Sequence, residues 1–411
     1  VFSLLRRNRD VRLVFGAQVV SYLGDWFAFV ALAGLVEDVT NSRFLVSLVL
    51  VSMTIPGLFM SAIAGSFADR FDRRKILTIV SILQVFAALL LLLHSVVGIW
   101  ITFVAQCLIA GLAAFVGPST SASVPNLVDN EDDLRKTNAL FGSTWGTMLA
   151  VGAALGGVFA AAFGRNAAFI ANAVSFVVAA LLFAGVKRPM QSERTQNSNK
   201  GRVRPIADMK EAINVAKKDP VILALLCSKM TFAVGAGIVS QLAVLASNVF
   251  NVGDSGRGLL IGVRGIGSGL GPILGAQIAG RDMAKLLKVC GYAGLVFAVC
   301  YVGAALSPFI GMAAVFIALA HLSGGAQWTL STLGLQMEAP DHVRGRVMAG
   351  DMAMVNTMIG FTSILAGLTS QFIGVRPAII IFAAAAAVAS VVYLIATAGI
   401  IRRLRNEKLQ Q

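Results

Sequence analysis

Charge is scarce in this sequence: Asp, Glu, Lys and Arg make up 13% of its 411 residues, against about 25% in a soluble domain. So small a polar share excludes an ordinary water-solvated globule and leaves lipid as the main solvent. Cysteine is nearly absent too. Cys107, Cys227, Cys290 and Cys300 all fall within long apolar runs and show no metal-ligand spacing. A secreted disulfide framework is therefore excluded, and packing is their expected role. Of three histidines, His94 and His342 sit at the ends of apolar runs, facing water. No Ser-His-Asp order, phosphate-cradling loop or His/Cys cluster stands out, so no enzyme, cofactor or metal site is expected. Gly265-Ile266-Gly267-Ser268-Gly269 has the outline of a dinucleotide turn, but it lies in an apolar run with no preceding strand, which removes the mechanism.

What the chain has in abundance is apolar length. It is 57% hydrophobic with a mean hydropathy of +0.80, and its length accommodates about a dozen crossings of about 20 residues each. Apolar spans read at 13–36, 44–67, 76–97, 99–122, 138–163 and 167–186, then at 220–250, 256–280, 284–306, 309–335, 346–373 and 376–400. Between the two sets lies the one sustained polar interval, 187–219, rich in Ser, Asn, Gln and Gly at its start. The part after Pro205 predicts an amphipathic helix lying on the membrane. The first span is too long for a signal peptide and lacks a small-residue cleavage site, so no cleavable leader is expected. One constant shift places Gly65 on Gly275, Gly157 on Gly367 and Gly164 on Gly374, a weak repeat between halves of equal span count.

The net charge of +14 would suit nucleic acid, but the position of the charges argues otherwise. With the N-terminus inside, the outer loops hold only Arg43, Arg165, Arg257 and Arg376, and Lys229 and Arg264 fall within spans. Every other one of the 34 basic residues falls on the inner side. Such asymmetry predicts cytoplasmic termini and basic faces against anionic headgroups. A lipid bilayer, not nucleic acid, is the expected partner.

The loop Gly65-Ser66-Phe67-Ala68-Asp69-Arg70-Phe71-Asp72-Arg73-Arg74-Lys75 joins two apolar spans through a tight basic turn. Its order G-x-x-x-D-R-x-x-R-R-K resembles the cytoplasmic loop 2–3 signature of the major facilitator superfamily, with Asp72 where that family usually has a second Gly. Small residues crowd the fifth span at Gly152-Ala153-Ala154-Leu155-Gly156-Gly157, permitting close helix approach. That stretch resembles the fifth-helix G-P-x-x-G-G signature of the superfamily's antiporters, with Ala153 in place of Pro. Ser21 to Trp26, Asp69 to Arg74, Leu127-Val128 through Asn138-Ala139-Leu140, and Val343 to Val347 look like the 12-span bacterial drug exporters of the macrolide-efflux and enterobactin-exporter branch.

The resemblance implies an all-α membrane protein with 12 transmembrane helices in two pseudo-symmetric six-helix bundles. These would be residues 1–186 and 220–411, joined by a cytoplasmic linker at 187–219. It implies a multi-pass, monomeric transporter of the bacterial plasma membrane, exporting small molecules in exchange for protons by alternating access. It also implies a conformational latch built from Gly65, Asp69, Arg70, Arg73 and Arg74. In that latch Asp69 meets the start of span 11 when the cytoplasmic side is shut, where a helix N-terminus favours an anion.

Ionisable residues at membrane depth are costly and therefore informative. Asp25 lies halfway along span 1, the one carboxylate near a span centre; Asp351 reads as only a few residues inside span 11. Asp25 must be neutral, paired or facing an aqueous cavity: it is either the proton carrier or a structural partner of a basic group. Lys229 and Arg264 lie about 12–14 Å deep at 1.5 Å per residue. They either attract an anionic or zwitterionic substrate, tune Asp25, or snorkel to an interface. His321, midway along span 10, is a second proton-coupling candidate or else a satisfied core histidine. Gln18, Tyr22, Gln106, Trp145, Gln327, Trp328 and Asn356 complete the expected substrate cavity, and Gly271-Pro272 an expected kink.

Taken with these residues, the resemblance implies proton-coupled export of an amphipathic, drug-like or macrolide-like small molecule, the profile of a multidrug-resistance antiporter. Export of an anionic siderophore and flipping of a lysophospholipid are alternatives within the same class. A membrane-embedded lipid enzyme is the remote one, since no clustered catalytic set lies near an interface.

Overall fold

A computed structural model of the chain describes residues 2–191, 218–280 and 282–409, and among them every regular element is a helix. A short lead helix, Phe2–Arg7, precedes α1 (Arg9–Thr40), α2 (Arg43–Arg70), α3 (Arg73–Val97), α4 (Trp100–Leu127), α5 (Glu131–Phe163) and α6 (Arg165–Ala184). Then follow α7 (Pro220–Val249), α8 (Asp254–Ala279), α9 (Met283–Leu306), α10 (Ile310–Glu338), α11 (Asp341–Ile373) and α12 (Val375–Leu409). The predicted spans fall on these twelve one for one, and all twelve are long and apolar enough to cross a membrane. The amphipathic helix expected after Pro205 lies outside the described residues.

Several helices begin further out than their apolar runs, because polar residues beyond the runs cap them. Asn8 accepts from the Val11 amide at 3.0 Å to start α1. Asn130 does the same for α5 through Asp133; Asp219 caps α7 at the predicted start of its run, with Pro220 at the first helical position. Each such cap satisfies an amide that the helix leaves without an internal partner. Asp72, the residue that departs from the loop signature, is itself a cap: its Oδ1 accepts from the Arg74 and Lys75 amides at 2.9 and 3.2 Å, opening α3.

Among the described residues, contacts sort the chain into two compact units. One holds 2–41, 49–191 and 253–258; the other holds 42–48, 218–252, 259–280 and 282–409. In the first, Val11, Val14, Leu77 and Phe183 form an apolar core. In the second, Ile222, Leu225, Leu286 and Leu330 do. Large apolar side chains also cover the surface, with Phe372 83% and Ile395 72% exposed. In water such faces would aggregate; against acyl chains they carry no such penalty.

The glycine repeat has structural content. Gly164 and Gly374 both take positive φ, 85° and 95°, turning α5 into α6 and α11 into α12. Gly157 meets the first turn of α8, where an added Cβ would sit 2.8 Å from the Gly258 Cα. Gly367 meets the first turn of α2, 2.7 Å from the Ser47 Cβ by the same measure. Equivalent glycines thus make equivalent contacts, one set in each unit.

α7 departs from regular α-helix: α-helical to Gly235, it passes through a 3₁₀ stretch (Ala236–Gln241) and a short α turn (Leu242–Val244) and ends in a π turn (Leu245–Val249). Gly237 there packs on the Thr362 and Ser363 backbone of α11, a contact that a regular helix bearing side chains would not allow. α8 holds Gly271-Pro272, the expected kink position, inside one helix from Asp254 to Ala279. Its Gly271 also serves packing: an added Cβ would lie 2.7 Å from the Ala326 backbone nitrogen on α10.

Candidate functional site

Each unit buries its own polar centre. In the first unit it hangs on α1. Gln18 donates to the Tyr22 hydroxyl at 3.2 Å, and Tyr22 in turn feels the charge of Asp25. α6 reaches this place because Gly24 has no side chain: a Cβ would come within 2.6 Å of Asn172 Oδ1 and 2.7 Å of the Ser175 Cβ. Asn172 is the polar neighbour facing Asp25, yet Asp25 Oδ1 is buried with no hydrogen-bond partner. Among the described residues Asp25 has no cationic partner, so its charge is uncompensated.

Trp26 forms the apolar wall beside it, edge-on to Trp145 of α5 with ring centres 6.0 Å apart. Trp145 itself is half exposed, and Gln106 is buried on α4. Gly152 and Gly156 bring α5 against α1: added Cβ atoms would lie 2.9 Å from the Trp26 Cβ and 2.8 Å from the Phe27 Cα.

In the second unit the centre has two parts. Lys229 of α7 is 1% exposed and ion-paired with Asp351 of α11, which is fully buried. The ammonium also donates to Thr332 Oγ1 at 2.9 Å and lies 5.0 Å from the centre of the Trp328 ring. Gln327 donates to the Ser228 carbonyl and to Thr231 Oγ1, locking α10 to α7. Asn356 is half-buried on α11. The second part joins α9 and α10: the Tyr301 hydroxyl and His321 Nε2 are 2.8 Å apart, ringed by Phe232 and Phe297. Arg264 of α8 acts electrostatically on both members, has a buried Nε without a partner, and forms no ion pair among the described residues.

The arrangement revises the electrostatic expectation. Lys229 and Arg264 were two cations against one anion, with Asp351 left near the membrane face. Asp351 instead neutralises Lys229 from 122 residues away, and among the described residues Arg264 is left as a buried span cation without an ion pair. The sequence carried the signal: a lone Lys and a lone Asp within apolar helices are both too costly to stay unpaired.

In the loop between α2 and α3, Arg73 is buried. It donates to the carbonyls of Ala68 at 2.9 Å, Ala122 at 2.7 Å and Met190 at 3.1 Å. Arg74 donates to the Val186 carbonyl at 3.0 Å. The side chains of Gly65, Asp69 and Arg70 lie outside the described residues. The first unit also holds an ionic group for which the chain carries no local signal, built on Arg165 and Arg257. Arg257 binds Glu37 at 2.8 Å, Asp254 at 2.6 Å and Asp38 at 3.3 Å. Arg165 binds Asp38 at 2.6 Å and Asp254 at 3.0 Å. Glu37 and Arg257 are buried, so this is a built ionic network and not a solvated surface.

Twelve apolar helices carrying buried ionisable centres describe a multi-pass membrane protein. The chain belongs to the family MFS_3, transmembrane secretion effector, of the major facilitator superfamily, whose profile matches residues 2–407. It is 23% identical to a Bacillus subtilis (strain 168) protein named as a candidate bacilysin exporter, BacE, over 87% of this chain and 88% of that one. It is 24% identical to a staphyloferrin A transporter of Staphylococcus aureus (strain NCTC 8325 / PS 47), over 88% and 89%. Among solved structures it matches a bacterial homologue of the human lysosomal transporter Spinster. The TM-score is 0.72 at 15% identity, covering 97% of this chain and 96% of that one. A peptide transporter of the POT family matches with TM-score 0.75 at 12% identity, covering 96% of each. These likenesses establish the major facilitator fold.

Proposed function

We propose that this transporter exports a small amphipathic molecule across a bacterial plasma membrane in exchange for protons, with both termini cytoplasmic. Residues 1–186 and 220–411 would alternate access as two bundles joined by the linker 187–219. The observation that carries the reading is Asp25: a carboxylate on a membrane-spanning helix, its Oδ1 buried without a partner and without a compensating cation. Such a group is costly to keep charged in that setting, and exchange of a proton with water is the event that relieves the cost. A relative named for bacilysin export supports the outward direction. The buried, unpaired Arg264 and a relative named for staphyloferrin A favour a second reading, in which the cargo carries carboxylates.

Reconstituted vesicles with an internal pH dye decide between them. Cationic dyes, macrolides, bacilysin, staphyloferrin A and lysophospholipids are added in turn, and proton flux is followed. Flux with one class and not the others identifies the cargo; absence of flux with transport intact removes proton coupling. Arg264→Ala should weaken binding of anionic compounds far more than neutral ones. Equal loss for both would assign Arg264 to folding.

A further inference from the structure

A cavity of about 480 Å³ opens between α9 and α12 of the second unit, lined by Lys288, Tyr292, Leu394, Ala398, Ile401, Arg402, Arg405 and Asn406. It plays no part in the buried centres described above. The two helices meet closely at Gly291, where an added Cβ would lie 2.7 Å from the Leu394 Cγ. The cavity begins beside that contact, at Leu394, and extends toward the ends of the helices where the basic residues gather.

Its lining is divided by chemistry. Leu394, Ala398 and Ile401 give an apolar floor, Tyr292 stands half-exposed at the side, and Lys288, Arg402 and Arg405 supply three cations. Among the described residues no carboxylate lines it. Arg403, the neighbouring arginine, has its own counterion in Glu407 at 2.8 Å. Lys288, Arg402 and Arg405, by contrast, have no ion-pair or hydrogen-bond partner among the described residues. Three like charges held around one hollow repel one another, so the site gains from an anion that enters it.

We infer that this cavity binds an anionic phospholipid. The headgroup phosphate sits among Lys288, Arg402 and Arg405, and the upper acyl chain lies on Leu394, Ala398 and Ile401. Two features select a lipid over a soluble anion. The floor is apolar, and α12 exposes a further large apolar side chain next to Leu394 in sequence, Ile395 at 72%. The cations stand at one end of that floor, as headgroup and chain require. Basic pockets between membrane helices bind anionic headgroups by this division of labour. Arginine adds planar, two-pronged recognition of phosphate.

The test uses the full chain in nanodiscs of phosphatidylcholine alone or with phosphatidylglycerol. Unfolding temperature is measured, together with phosphatidylglycerol retained on release into a mass spectrometer. The wild-type chain should retain phosphatidylglycerol and unfold at higher temperature in its presence. Lys288→Gln/Arg402→Gln/Arg405→Gln should lower the affinity about a hundredfold, at about 1 kcal/mol for each basic residue near a membrane surface and tenfold for every 1.4 kcal/mol. Lys75→Gln/Lys187→Gln/Lys285→Gln, which removes the same charge from exposed positions elsewhere, should retain the lipid. Ala398→Trp keeps all three cations but fills the floor, and should also lose retention, which guards against misfolding of the charge variant. Equal loss in both triple variants would reduce the effect to general surface attraction and overturn the site. So would retention in Ala398→Trp. Stabilisation by inorganic phosphate in phosphatidylcholine discs, to the same extent, would make this a soluble-anion site and overturn the lipid assignment.

Discussion

Asp25 and Asp351 are both carboxylates on apolar helices, and their surroundings give them different work. Asp25 has Asn172 and Tyr22 near it but no cation. Asp351 has Lys229, held in turn by Thr332. A group without a counterion can take and lose a proton at less structural cost than one whose ionisation holds two helices together. Asp25→Asn should therefore abolish the pH dependence of transport while substrate exchange without a gradient continues. Vesicle uptake driven by a pH gradient, set beside counterflow, measures both. Gradient-driven uptake at the wild-type rate would move coupling to His321 or Asp351. The Lys229–Asp351 pair should behave structurally. Asp351→Ala alone strands a buried ammonium and should cost about 3–5 kcal/mol, whereas Lys229→Met with Asp351→Leu should recover most of it. Thermal unfolding in detergent tests this, and equal loss in single and double variants would show that the two residues do not act as a pair.

At the scale of the helix, small residues decide where neighbours approach. The Gly152 and Gly156 positions on α5 were legible as a small-residue stripe, since that composition has few other uses in an apolar span. Their partner was not legible, because a stripe has no address; only the fold puts Phe27 and Trp26 of α1 against it. Gly156→Leu should overpack that contact and lower stability by about 1–3 kcal/mol, read as a lower unfolding temperature at equal expression. A wild-type unfolding temperature would mean that α1 and α5 are further apart than the structure has them. The break in α7 had no sequence signal beyond Gly235 and Gly237 in a chain of 41 glycines, and composition that common identifies nothing by itself.

For the whole molecule, the loop between α2 and α3 bears on transport as a cycle. Arg73 and Arg74 tie this loop to carbonyls of the first unit, so it belongs to that unit. Asp69, one residue before the end of α2, is the anion that the family resemblance assigns to the latch. Asp69→Asn should leave the fold intact and reduce turnover by about two- to fivefold, matching about 0.3–1 kcal/mol at a helix N-terminus. Transport per molecule at unchanged expression is the measurement, and an unchanged rate would count against a latch.

Sequence alone determined the twelve spans and the class of protein, because lipid imposes a solvent requirement that each helix must meet by itself. A run of apolar residues is sufficient evidence of a crossing, with no knowledge of neighbours. The loop signature and the fifth-span glycines were likewise local, their residues lying within a few turns of one another. What only the tertiary structure decided was which buried charges meet. Lys229 and Asp351 are 122 residues apart, and Glu37 and Arg257 are 220 apart. Coulomb attraction depends on distance in space, and no pattern along the chain records it. The sequence therefore showed that these ionisable groups needed partners, and the packing of the helices chose them. It gave Lys229 its Asp351, built an ionic network on Arg165 and Arg257, and left Asp25 and Arg264 without counterions among the described residues.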